Sequence, residues 1–146
     1  MKLLKDIIVD FCLFSLIEGW ILTQFYEKIC NCRKFKWYEI LILSFINCTI
    51  SQVFVPVIYQ ILIIIILSVI LYYKENYTFI KCIKNSILSM LFILITEMSY
   101  GMLCEILFKI NFINLSKISL FNFMIPIRLI QYLLIKGSEN NETLDG

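Results

Sequence analysis

The chain has 146 residues, is 60% hydrophobic and 15% aromatic, carries a formal net charge of +2 and contains no histidine; its mean hydropathy is +0.86. Soluble domains are about 45 to 50% apolar, so this composition belongs to a polytopic membrane domain, with no stretch left to bury a soluble catalytic core. The near-neutral balance argues against a nucleic-acid partner, and the missing histidine removes His-based acid–base catalysis, Ser-His and Cys-His nucleophiles and HExxH zinc sites.

The chain opens with Lys2 and Lys5 before an apolar run, as a signal peptide does. Asp6, Asp10 and Glu18 interrupt the apolar core a signal needs and no small-x-small cleavage site follows, so a retained first helix is expected over residues 7–26. Residues 27–37 form a short basic connection. A second helix follows over 38–54, the most polar span, with Asn47, Thr49, Ser51 and Gln52. Pro56 marks a tight turn into a third helix over 57–73. Residues 72–84 (YYKENYTFIKCIK) are aromatic and basic, the character of a membrane interface. The fourth helix, 87–108, is long enough at about 1.5 Å per residue to cross about 30 Å of hydrocarbon. A short polar connection leads to a fifth helix over 118–135, which contains Pro126 and Arg128. Residues 137–146 read as a polar, mobile tail. The fold class expected is all-α, a bundle of about five transmembrane helices in one domain over 1–136.

Orientation follows from Lys and Arg in the short loops. Lys28, Arg33, Lys34, Lys36, Lys74, Lys81, Lys84 and Lys136 fall on one side; Lys2, Lys5, Lys109 and Lys117 fall on the other. The first set is expected in the cytoplasm, which leaves the N-terminus outside and the C-terminus inside.

Of six cysteines, Cys12, Cys48, Cys82 and Cys104 lie in or beside apolar stretches, where free Cys behaves as a small hydrophobe. Cys30 and Cys32 form one CxC pair, two ligands where a structural metal needs four. They read as structural, and neither metal nor cofactor is expected.

The informative residues are charges at membrane depth, each costing on the order of 3 kcal/mol if left facing lipid. Counted from the helix ends, Glu18 and Glu97 lie near the midplane, and Asp10 and Glu105 about one turn below the outer surface. In each helix the two acids are eight residues apart, about 80° around one broad face. Gly19 and Gly101 accompany them, and small residues let helix backbones approach, so the first and fourth helices are expected to face a common interior. Arg128 is the cation at comparable depth and the natural partner of Glu97 or Glu18. One arginine cannot neutralise two glutamates. Three readings stand side by side: a network that locks the bundle, an outward ligand-binding cavity lined by Asp10, Glu18, Glu97, Glu105 and Arg128, and proton or cation coupling. Buried carboxylates without histidine or a metal cluster do not specify a reaction, so no enzyme is expected.

Leu16-Ile17-Glu18-Gly19-Trp20-Ile21-Leu22 in the first helix resembles the start of the membrane input domain of accessory-gene-regulator type quorum-sensing histidine kinases of low-GC Gram-positive bacteria. Pro126-Ile127-Arg128-Leu129-Ile130-Gln131 resembles the final membrane helix of such domains, and a mid-helix glutamate such as Glu97 is compatible with it. The resemblance implies a membrane sensor that binds a cyclic peptide signal outside. The dimerisation helix, phosphoacceptor histidine and ATP-binding domain have no counterpart in these residues, so kinase activity does not carry over. The expectation is a sensor-like or accessory protein of the cell membrane, with the lipid bilayer, a peptide ligand and a membrane-protein partner or second copy as candidate partners. The alternative is a small transport subunit that binds a solute at a buried Glu/Arg site.

Overall fold

The computed structural model describes residues 2–144, and side chains within that range except at 2, 3, 113 and 140–144. α1 (Lys2–Asp10), a π-helical segment (Phe11–Ser15) and α2 (Leu16–Lys28) follow without a break and form one rod. α3 (Trp37–Val53), α4 (Pro56–Glu75), α5 (Phe79–Phe108) and α6 (Lys117–Leu144) complete an all-α bundle, with a single 3-10 turn, Phe112–Asn114, before α6 and no strand among the described residues.

The boundaries have local causes. Val55 is extended, as a residue before proline must be, and Pro56 opens α4 where its missing N–H costs nothing. α4 ends at Asn76 with φ 54°, a left-handed C-cap that Asn tolerates. At the start of α3, the Glu39 carboxylate accepts from the Lys36 backbone N–H at 2.7 Å.

Two boundaries differ from the expectation. α5 begins at Phe79 rather than near 87, because the basic residues Lys81 and Lys84 do not break a helix whose residues 79–86 hold neither Gly nor Pro. The polar segment after residue 136 continues α6 to Leu144. One glycine, Gly137, costs a helix only about 1 kcal/mol, and Glu139 is held by Lys28 at 2.5 Å. Residues 145 and 146 of the expected tail lie outside the described residues.

The first rod occupies the centre, packing against α3, α5 and α6, while α3–α4, α4–α5 and α5–α6 pack as sequence neighbours. The tight core lies toward the end that carries the 29–36 connection. Ile21, Leu22, Tyr26, Ile63, Leu67, Leu71, Cys82 and Ile135 are all at most 2% exposed there. Tyr26 Oη and Ser89 Oγ hydrogen-bond across this core at 2.7 Å. The outer faces are apolar instead: Ile58, Ile61, Ile65, Val69 and Tyr72 form an exposed stripe along α4. Three helices are long and apolar enough to cross a membrane by length and composition, Pro56–Glu75, Phe79–Phe108 and Lys117–Glu139. The chain is a multi-pass membrane protein. α3, at 17 residues, and the first rod, which carries Asp6, Asp10 and Glu18, fall outside that measure.

The two glycines expected to mark close approach behave differently. A Cβ on Gly19 would stand 2.1 Å from Ser44 Oγ and 3.2 Å from Ser44 Cβ, whereas one on Gly101 would meet nothing within 4 Å. Gly19 therefore seats the first rod against α3, and Gly101 seats nothing. Gly19→Ala is expected to lower stability by about 1–3 kcal/mol, and Gly101→Ala to be neutral or to raise it by up to about 1 kcal/mol. Thermal unfolding of both variants in one detergent checks the contrast.

Candidate functional site

Charged groups in the bundle gather in two layers. In the deeper layer Arg128, 9% exposed on α6, places Nη1 2.7 Å from Glu97 Oε1 on α5 and Nη2 3.6 Å from Glu18 Oε2 on α2. Nη1 also donates to Gln131 Oε1 at 2.9 Å, and Gln131 Nε2 donates to Thr96 Oγ1 at 2.7 Å. The Glu97 contact is an ion pair rather than an aligned hydrogen bond, since Oε1 has no hydrogen-bond partner among the described residues. The outer layer is built on Asp10 at the end of α1. It accepts from Lys117 Nζ at 2.8 Å and, through its other oxygen, from Gln52 Nε2 on α3; Asp6 stands 3.9 Å from the same Lys117.

Of the residues singled out in the sequence, Glu18, Glu97 and Arg128 meet in one cluster and Asp10 lies in the layer above. Glu105 is exposed on α5 and belongs to neither. Eight α-helical residues separate Glu105 from Glu97, and that rotation carries it off the interior face. Between Asp10 and Glu18 the π segment intervenes; its i→i+5 hydrogen bonds wind more widely than an α-helix, and both acids line the same cavity.

That cavity has a volume of about 360 Å³ and includes Asp10, Asn47, Gln52 and Lys117 in its walls. A second of about 310 Å³ lies deeper and reaches Glu97. Glu18, Ser51 and Tyr59 line both, so the two are neighbours that share a wall. Tyr59 Oη donates to Asn47 Oδ1 at 2.5 Å, which fixes the phenol between the two volumes. The hydroxyls of α3 bond their own helix, Ser44 to Ile40, Thr49 to Phe45 and Ser51 to Cys48. In this half of the bundle Asn47 and Gln52 are the α3 side chains that carry polar contacts to other helices, as Glu39 does to Lys74 at the far end.

Sequence reasoning did not find Gln131, Thr96, Tyr59, Asn47 or Gln52. Gln131 had a readable signal, since it lies three residues after Arg128 on the same helical face. The others depend on how the helices turn toward one another, which no single helix encodes.

At the opposite end, Cys30 and Cys32 sit in the 29–36 connection, Cys32 only 7% exposed. Among the described residues no group of three His, Cys, Asp or Glu side chains could hold a metal ion. Burial pushes the Cys30 thiol up to about 11 and the Cys32 thiol up to about 12. The thiolate is the reactive form, and so little of it exists at neutral pH that a membrane-permeant maleimide at pH 7.5 is expected to modify Cys32 on the order of a hundredfold more slowly than glutathione. Mass spectrometry of a timed labelling series measures the rate.

Comparison with protein-family models, with curated proteins and with solved structures found no match. What the site does must follow from its own chemistry. Two carboxylates, those of Glu18 and Glu97, share one guanidinium at the end of a cavity.

Arg128 also carries a structural load. Removing one member of a buried ion pair costs about 3–5 kcal/mol, so Arg128→Gln is expected to lose that much stability. The double variant Arg128→Gln/Glu97→Gln is expected to recover part of it, because one orphaned carboxylate is gone. Denaturant unfolding in mixed micelles measures both.

Proposed function

We propose that this chain is a receptor-like subunit of the cell membrane, with five spans, its N-terminus outside and its C-terminus in the cytoplasm, which binds a small ligand in a cavity entered from its outer face. The observation that carries this reading is the pair of adjacent cavities, one lined by Asp10 and Lys117 and the other by Glu97, that share Glu18, Ser51 and Tyr59 as a wall. Their sizes fall within the roughly 300–1,000 Å³ of ordinary ligand sites, and a few convergent polar groups on an apolar lining match the usual design of such sites. The excess of Lys and Arg at the opposite end supports the orientation. The resemblance to quorum-sensing input domains makes a small peptide signal the first ligand to try, with a membrane-protein partner or a second copy passing the signal on.

A second reading, a transport subunit that carries a solute to the same acids, draws on one observation: the Glu97 side chain is 30% exposed although it is ion-paired at mid-helix depth. The two separate on Glu97→Gln. A transport subunit loses uptake with that change, while a receptor changes ligand affinity and moves no solute.

Access is tested by single cysteines on a cysteine-free background, with a charged, membrane-impermeant thiol reagent added outside. Cysteine at Gln52 or Ser51 is expected to react, and cysteine at Leu71 in the closed core is not. Silence at both Gln52 and Ser51 would sink the outward cavity.

A further inference from the structure

The deeper cavity differs from its neighbour in where its wall ends. Ile87, Leu91 and Leu94 line it, and the same side chains are 41%, 46% and 37% exposed on the outside of the bundle. Their spacing, i, i+4 and i+7, sets them along one edge of α5. Across from them are Tyr59, Gln60 and Ile64 of α4. α4 and α5 are closed at their other end, where Leu67, Leu71 and Cys82 are at most 1% exposed, so the two helices part only along this upper stretch. Residues 87–97 lie in the middle of the 30-residue candidate span Phe79–Phe108. The gap therefore opens sideways, at the depth of the hydrocarbon.

Inside the gap the chemistry reverses. Both Glu18 and Glu97 face the cavity, and Arg128 is not part of its wall. The guanidinium lies behind the carboxylates, neutralises one of them in charge count, and leaves the cavity itself presenting carboxylate oxygen and the Tyr59 ring. An anion meets carboxylate oxygens there instead of the guanidinium, and a wholly apolar ligand leaves those oxygens without a partner. A small hydrated cation finds an apolar doorway.

We infer that this cavity takes an amphipathic monocation: an ammonium- or phosphonium-type head seated between Glu18 and Glu97 beside the Tyr59 ring, and an apolar body laid along Ile64, Met90 and Leu94 toward the lipid. The inference rests on the reading of the cavity as a ligand site and names the ligand's class. Three physical terms favour that class together: opposite charge at the closed end, an aromatic face for the cation, and apolar wall and rim continuous with the bilayer.

The test uses the full chain in phosphatidylcholine nanodiscs and radiolabelled tetraphenylphosphonium, with empty nanodiscs subtracted for partition into lipid. Saturable binding is expected, and none is expected for tetraphenylborate, of the same shape and opposite charge, measured in a separate sample. Glu97→Gln is expected to weaken it at least about tenfold, the equivalent of about 1.4 kcal/mol. Leu91→Trp, at an exposed rim position where folding is not at stake, is expected to weaken it as well by narrowing the gap. No saturable binding, or binding indifferent to both substitutions, overturns the inference. Tetramethylammonium, which carries the head without the apolar body, separates the two readings. If it binds and protects a cysteine at Ser51 while tetraphenylphosphonium does not bind, the outward cavity stands and the amphipathic ligand falls. If neither cation binds and that cysteine never reacts, both fall.

Discussion

The contact of Arg128 with Glu97 and Glu18 is the constraint that the rest of the bundle obeys. It draws a guanidinium from α6, one carboxylate from α5 and one from α2 into a single low-dielectric layer. A charge at that depth without a partner is expensive, so the three helices cannot slide or rotate independently. Once that layer is set, the position of the remaining helices follows. Gly19, the residue after Glu18, turns its bare backbone to Ser44 and seats α3. Trp20, next along the rod, stacks on Tyr132 of α6 with ring centres 5.1 Å apart, and Phe25 meets Phe92 of α5 at 5.2 Å. A polar layer sets the register, and aromatic pairs on either side of the rod hold it.

The same layer divides the molecule into a closed half and an open half. Toward the 29–36 connection, aliphatic side chains and buried hydroxyls fill the space around the first rod, cavities remain only farther out beside α3 and α4, and the connection itself is tied down. Arg33 N–H donates to Glu75 at 2.8 Å, Lys74 Nζ pairs with Glu39 at 2.9 Å, and Lys81 Nζ lies 3.7 Å above the Tyr77 ring. Toward the Asp10 end the helices part around two volumes. Polar residues of α3 and Tyr59 of α4 stand in that space where the closed half has leucine and isoleucine. What sets the Asp10 half apart is the chemistry of its walls, since a cavity of about 400 Å³ at the other end, between Phe35, Leu43, Ile70 and Tyr73, has Glu39 and Lys74 as its charged residues, and these two are paired with each other.

What could be read from the chain before its fold was known follows from how each signal is written. Charges within apolar runs are conspicuous, and only a few places in a bundle accept them, so Glu18, Glu97 and Arg128 could be brought together on paper. The all-α membrane class was equally open to reading, because lipid-length apolar runs have no other use. Glu105 and Gly101 fall away from the interior for one reason: their placement rested on an ideal 100° per residue and on one broad face of α5 turning inward as a whole. The π segment at Phe11–Ser15 was invisible because it is a hydrogen-bond pattern without a sequence signature. The early start of α5 and the continuation of α6 past Gly137 show a different limit, since basic or polar composition was taken for a helix end where only a cap or a proline would have made one.

The position of Arg128 along the chain also gives the fold a history. The chain is made from its N-terminus, so Glu18 and then Glu97 enter the membrane before the helix that carries their cation exists. Until α6 arrives, the two acids have no guanidinium to meet and the first rod has no Tyr132 to stack upon. The central polar layer is therefore the last part of the molecule to be completed. An unfinished chain therefore carries two carboxylates without the cation that the finished bundle places 2.7 Å from one and 3.6 Å from the other.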